Sequence, residues 1–356
     1  MPDAADWQAE LAELEALSAR IGADPLLTQG AGGNTSLKID GTLWIKASGT
    51  WLAHALERRI MVPVEIEPLL DAVHSVDPAA EQAHRFTIAS LNPSGLRPSI
   101  ETTVHALMPQ RVVLHVHCVD TIAHAVRKDC IEQVTPRLEG LNWAYVPYAR
   151  PGLPLALAIA ENSTSGPDVL ILANHGLVVA ADTVARAEAL LAEVKNRLRI
   201  EPRLTPPADL ERLPELAGAD YRLPASQAAH AVATDPVSAA RAAGRAMYPD
   251  HIIFLGDGPA IARPGENAKA VAERFGAPPV SIVFPGMGVL MRNDAPPGAD
   301  AMVRCLADVA ARLPADARVR VLTPDEYLQL TDWDAEKYRQ QLARKASSAG
   351  AAQKIA

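Results

Sequence analysis

The sequence predicts an α/β protein of two units: a larger one in which an antiparallel sheet is interleaved with helices, and a smaller α/β unit behind it. Three observations predict this. Short apolar runs bounded by turn residues recur between helical stretches, and two of them are joined by the hairpin-favouring pair Asp40 and Gly41. The proline-rich stretch 202–225 separates two regions that each hold their own strands and helices. A chain of 356 residues is also longer than one core usually organises.

Along the chain, residues 5–21 have the spacing of an amphipathic helix that leads into the glycine-rich "TQGAGGNTSLK". "TSLKI" and "LWIKAS" are the two hairpin strands. "PSIETTVHALM" reads as a helix that Ser94 or Ser99 can cap, with Glu101 in its first turn. "RVVLHVHC" is a strand and "DTIAHAVRK" a helix; "DVLILANHGLVVAAD" is strand, tight turn and strand, followed by the long helix "TVARAEALLAEVKNRLRI". Beyond 225, helices are expected at "VSAARAAGRAM" and "ENAKAVAERF", and strands at "HIIFLG", "VSIVF" and "RVRVL". One plan occurs twice, in "LILANHGLVVAADTVARAEALLAEV" and "SIVFPGMGVLMRNDAPPGADAMVRCLADV". With the strands superposed, Gly286 takes the place of His175, so the second unit is either a degenerate copy without the chemistry or a generic likeness among α/β turns.

The net charge of −8 comes without a long acidic or basic block, which gives no nucleic-acid arm and no membrane-surface patch. The first residues lack a signal peptide's basic and apolar regions, and no apolar run is long enough for a membrane helix. Cys118, Cys130 and Cys305 are scattered and have no CxxC spacing. A reduced, cytoplasmic protein is therefore expected, with a small molecule as partner and neither nucleic acid nor membrane.

Side chains alternate across a strand, so His115 and His117 face the same way and their imidazoles can tilt onto one point. They are either a hydrogen-bonded pair lining a polar groove or two metal ligands. A third ligand is available in His175, which interrupts the apolar run "ILANHGLVV" where a polar group beside the core needs a partner. Three histidines would leave a coordination position open, as catalytic zinc requires. Glu101 is the candidate acid/base; His105, four residues on, is a fourth ligand or a supporting residue. The remaining histidines receive no role. Gly30, Gly32 and Gly33 match neither a dinucleotide fingerprint nor a P-loop, yet together with "KASGT" they form two loops that are either tight turns or a phosphate or carboxylate pocket.

In this order, "GGNTS", "KASGT", "PSIE", "HVH" and "NHG" resemble the class II aldolase/adducin family across about residues 28–180, most nearly the aldolase portion of the rhamnulose-phosphate aldolase/alcohol dehydrogenase type. The resemblance implies a three-layer α/β/α fold with a central, mainly antiparallel sheet, assembled as a homo-oligomer, usually a tetramer, around divalent metal. Zinc is the expected ion, with Mn2+ or Mg2+ as alternatives. It makes His115, His117 and His175 the metal ligands and Glu101 the catalytic acid/base. Gly33, Asn34, Ser48, Gly49 and Ser99 become the substrate-binding loops. Ile100 departs from the serine that the fuculose-phosphate type carries there, and it offers no side-chain hydrogen bond to a phosphate. The implied domains are a catalytic unit at 1–201, a linker at 202–225, a smaller α/β unit at 226–345 and a tail at 346–356.

The implied activity is retro-aldol cleavage of a ketose or sugar phosphate through a metal-stabilised enediolate, a hydroxy-keto acid being the other substrate class. Sugar-phosphate 4-epimerase, decarboxylase and dehydratase are alternatives within the family, and a non-catalytic adducin-like binding protein is the alternative from another class. Tyr145 and Tyr148 are unassigned candidates for a second proton donor. The smaller unit is a scaffold, an oligomer interface or a lid.

Overall fold

The computed structural model describes residues 4–338 except 164, 297 and 335, so the expected tail 346–356 lies outside the described residues. The first unit runs α1 (Ala4–Ala23), β1 (Asn34–Ile39), β2 (Thr42–Lys46), β3 (Met61–Glu65), α2 (Ile66–His74), α3 (Thr102–Leu107) and β4 (Val112–Val116). It continues with α4 (Val119–Ala125), α5 (Cys130–Val134), β5 (Trp143–Val146), α6 (Leu153–Asn162), β6 (Val169–Leu172), β7 (Gly176–Ala181) and α7 (Val184–Arg197). The second unit runs α8 (Leu213–Ala217), β8 (Tyr221–Arg222), α9 (Ala231–Thr234), α10 (Pro236–Ala242), α11 (Pro249–Leu255), β9 (Ala260–Ile261) and α12 (Ala268–Phe275). It closes with β10 (Ser281–Phe284), β11 (Gly288–Arg292), α13 (Ala299–Arg312) and α14 (Pro324–Thr331).

Seven strands form the larger sheet in the order β3-β2-β1-β4-β7-β6-β5, and only β5 and β6 pair in parallel. The hairpin turn places Asp40 and Gly41 at φ 44° and 77°, the left-handed pair that a two-residue turn between twisted strands needs. Alternation along the central strands sends Val112, Leu114 and Val116 to a core shared with α1, α5 and α7, and sends Val113 with Leu170, Leu172 and Val178 to a core shared with α3 and α6. This is the three-layer α/β/α arrangement with a mainly antiparallel sheet that the resemblance implies, with a second, smaller sheet unit behind it.

The smaller sheet has the order β8-β11-β10-β9, and it repeats the directions of β4-β7-β6-β5: two antiparallel pairs, then one parallel pair. The likeness extends to single bonds. Leu172 faces Gly176 as Phe284 faces Gly288, with Ala173, Asn174 and His175 in one turn and Pro285, Gly286 and Met287 in the other. Asn174 and Gly286 both have positive φ, 52° and 76°, and each donates its N–H to a helical carbonyl, Ala125 in one unit and Ala233 in the other. The register therefore corrects the superposition by eye: Met287, not Gly286, stands at the place of His175. Counted on past the end of β8 from Arg222, which faces Met291 as Leu114 faces Val179, Leu223 and Ala225 take the places of His115 and His117 in the sequence. The second unit keeps the scaffold of the first and has apolar residues at all three histidine positions.

Several expected elements differ. "HIIFLG" belongs to helix α11: Pro249 opens it, and nearly every residue is buried, so a short apolar run carried no period to separate helix from strand. "RVRVL" makes a single bridge, Val319 with Arg127, because its partner is the end of α4 and not a strand. Residues 202–225 contribute α8 and β8 to the second unit, with Leu213 and Tyr221 in its core and Pro214 in the first turn of α8. The two units pack through α4, whose Val119, Ile122 and Ala123 enter the second unit's core while Ala125 faces the first.

Candidate metal centre

His115 lies on β4 opposite Asn34 of β1, and His117 follows two residues later, one past the strand's end. His175 is the last residue of the β6–β7 turn, whose shape is set by Asn174; its side-chain amide donates to the carbonyls of Met247 and Arg320 at 2.8 and 2.9 Å. Gly176 is required by close approach, since a Cβ there would lie 2.6 Å from the Val116 carbonyl oxygen and 3.5 Å from the ring of His115. The three rings stand 4.9–5.2 Å apart between centroids, and one ligand atom from each lies within 4.8 Å of the others.

The hydrogen bonds fix how the rings are used. His115 Nδ1 lies 3.0 Å from the Leu177 carbonyl oxygen, which can only accept, so the proton sits on Nδ1 and Nε2 presents its lone pair. His117 Nδ1 lies 3.0 Å from Asp250 Oδ2. The Nε2 atoms of His115 and His117 are 3.1 Å apart, close enough for one ion to take both as ligands. Glu101 places Oε2 3.4 Å from His115 Nε2 and Oε1 3.4 Å from His175 Nε2. Ligands about 2.0–2.1 Å from a tetrahedral ion stand about 3.3 Å from one another. The donor set thus fits a divalent ion in chemistry and in spacing.

Glu101 stands at the N-cap position of α3, without a side-chain capping bond, and does not sit in its first turn; its own N–H donates to Ser99 Oγ at 3.2 Å, and its carboxylate faces the histidines. Burial raises its pKa, but His115, His175 and His117 and the Asn34 hydrogen bond outweigh that and bring it down to about 2. Burial lowers His115 and pushes His175 down to about 3. At neutral pH the site therefore holds a carboxylate beside the neutral imidazoles of His115 and His175, the state that ligands must have.

Asn34 spends its amide on Glu101 Oε2 at 2.9 Å, so it orients the acid/base and is not given over to an anion pocket alone. The other residues expected around the substrate do gather: Gly33, Ser48, Gly49 and Ser99 line one small cavity with Asn34, Glu101, His117 and His175. This inner cavity, about 30 Å³, shares Ser48, Ser99, Ile100 and Trp333 with an outer cleft of about 660 Å³. Neither Tyr145 nor Tyr148 lines the inner cavity; Tyr148 packs on Arg320. His105 is a supporting residue, buried and bonded through Nδ1 to Ser36 Oγ at 2.7 Å.

Sequence reasoning missed the contribution of the second unit. Asp250 and Ile253 of α11, Leu330 of α14, and Trp333 and Glu336 beyond it all reach the inner cavity. No local pattern marks Asp250 and Ile253, because only the packing of α11 against the first unit brings them there. Lys46 was visible as part of "KASGT"; it is buried in the cavity wall with Nζ 2.8 Å from the carbonyls of Ala31 and Thr50.

A family model described as the class II aldolase and adducin N-terminal domain matches residues 12–201, more than half of the chain. The chain belongs to the class II aldolase and adducin family. It is similar to a Bacillus subtilis (strain 168) protein named an uncharacterized oxidoreductase, YuxG, at 30% identity over 184 residues, 48% of this chain and 26% of that one. The chain thus spans about a quarter of that relative's length. Among solved structures, it resembles the N-terminal class II aldolase domain of a conserved Thermoplasma acidophilum protein, at 27% identity and a TM-score of 0.45 over 52% of this chain and 90% of that one. YgbL from Klebsiella pneumoniae, titled a putative aldolase/epimerase/decarboxylase, follows at 24% identity and a TM-score of 0.42, over 54% and 87%.

Buried neutral histidines make this class II aldolase family member acid-sensitive in a defined window. His105 is pushed down to about 3 and His251 to about 4, in both cases chiefly by burial. Because the folded values are depressed, the unfolded chain takes up protons first, so stability is full above about pH 6.5 and falls as pH drops below it. Each residue is expected to remove about 1.4 kcal/mol by pH 5.5, read as a lower urea midpoint for the metal-free protein than at pH 7.5. An unchanged midpoint would show that these sites admit water and protons.

Proposed function

We propose that this chain is a divalent-metal-dependent lyase, a zinc class II aldolase that cleaves a ketose or sugar phosphate. One observation carries the reading: three buried imidazoles each bring a ligand nitrogen within 4.8 Å of the others, and the two oxygens of a buried carboxylate stand 3.4 Å from Nε2 of His115 and of His175. His115, His117 and His175 hold the ion. The ion supplies electrostatic stabilisation of the negative charge that grows on the substrate's oxygens as its carbon–carbon bond breaks.

The remaining steps fall to the chain's own groups. Glu101, ionised at rest and held by Asn34, is placed to carry a proton to and from the reacting carbon. The inner cavity accepts the chelating end of the substrate, and its small volume sends the rest of the molecule into the outer cleft. Ser48 and Ser99, with the backbone at Gly33 and Gly49, are the groups at hand for a phosphate, and a hydroxy-keto acid carboxylate can use the same donors. A homo-oligomeric assembly in the cytoplasm belongs to the same reading.

Three measurements test it. Metal analysis of the purified chain should find about one divalent ion per chain. On a panel of ketose phosphates, a triose phosphate and an aldehyde should appear together; a C4 epimer without cleavage, carbon dioxide or a dehydrated product would move the chain to the corresponding family reaction. Glu101→Gln should keep its metal and lose turnover by about 100-fold. Retained turnover removes Glu101 from proton transfer.

A further inference from the structure

We infer that the second unit is a working part of the metal centre, and that its Asp250 is the positioning residue that aims His117 at the ion. The inference rests on the metal-dependent reading above. Its basis is the short segment 247–250, where α10 has ended and α11 begins, and which touches both elements that deliver ligands. The Met247 carbonyl accepts from the side chain of Asn174, the residue before His175. Three residues later, Asp250 sets Oδ2 3.0 Å from His117 Nδ1, with both groups buried.

The chemistry of that contact is specific. His117 lies beyond the end of β4, where its backbone is outside the ladder, whereas His115 lies within the strand and its ring meets the Leu177 carbonyl. A carboxylate 3.0 Å from Nδ1 stands where it can orient the ring and favour the opposite nitrogen as the donor, which is the usual arrangement around ligating histidines. Gly32 completes the arrangement from the first unit. A Cβ there would fall 2.7 Å from His117 Nδ1 and 2.8 Å from Asp250 Oδ2, so the glycine loop is shaped to let the pair close. The second unit has apolar residues where the first has its histidines, yet it returns a carboxylate to the centre of its neighbour.

The test uses the full chain and its Asp250→Ala, Asp250→Asn and Gly32→Ala variants, with zinc affinity measured by chelator competition and the visible spectrum of the cobalt-substituted protein as the second readout. Circular dichroism of the metal-free proteins controls for folding. Asp250→Ala should bind zinc about 10–100-fold more weakly and shift the cobalt bands. Asp250→Asn, which keeps the shape and an accepting oxygen but loses the charge, should fall between it and the unaltered chain. Gly32→Ala should weaken binding by pushing the pair apart. If Asp250→Ala fails to fold, Asp250→Asn decides: weaker zinc binding with a changed cobalt spectrum supports the inference. Unaltered affinity and spectrum in the folded Asp250 variants overturn it and leave the metal centre standing. An unaltered chain that takes up no metal overturns the centre and the inference together.

Discussion

Replacing His175 with methionine is expected to abolish metal binding and turnover while leaving the chain folded. The second unit has already made this substitution: Met287 closes the same three-residue turn between β10 and β11 that His175 closes between β6 and β7. Its N–H donates to Phe284 as that of His175 donates to Leu172, at 2.9 and 3.1 Å, so the turn does not need an imidazole. What the turn loses is a nitrogen ligand for a borderline ion, in exchange for a weak thioether. Removing an outer partner of a ligand costs 10–100-fold in affinity, so removing the ligand itself should cost more than about 100-fold. Burial also depresses the pKa of His175, so at neutral pH the exchange removes a neutral ring and no charge. Zinc titration and thermal melting of the metal-free variant check this together: metal lost with the melt preserved is the expected pair. Metal retained at full affinity would mean that His175 is not a ligand.

The three histidines were legible because their signals are local. Strand periodicity puts His115 and His117 on one face, and the imidazole inside "ILANHGLVV" interrupts an apolar run where a polar group needs a partner. The larger sheet was legible for the same reason, through the Asp40 and Gly41 turn and the apolar strands at its centre. What escaped was set by tertiary contact. Asp250 carries no pattern in its own neighbourhood, and its place against His117 exists only once α11 docks. "HIIFLG" was misread because full burial erases period, although a proline directly after Tyr248 was an available helix-start signal. The edge strand β3 holds Pro63, and β8 and β9 are two residues each, too short for alternation to register.

Replacing Arg312 with alanine is expected to destabilise the chain by about 3–5 kcal/mol, because it strands a buried carboxylate. Arg312 Nε lies 2.7 Å from Asp120 Oδ1, each side chain is 7% exposed, and the pair joins the last turn of α13 to the first turn of α4. With the guanidinium gone, Asp120 retains the Ile200 N–H at 3.1 Å, too little to replace a full charge out of water. Removing both partners with apolar residues should recover part of the loss, since the attraction and the desolvation cost disappear together. Denaturant unfolding of the two single variants and the double variant measures this; a loss under about 1 kcal/mol in Arg312→Ala would show that water reaches the pair. The consequence extends to the metal centre because α4 is common ground. Its first residue follows Cys118, next to His117, and the carbonyl of Ala125 at its other end takes the N–H of Asn174. A chain in which α13 no longer grips α4 should therefore lose zinc affinity before it unfolds, with Asp250 drawn away from His117 as the second unit loosens.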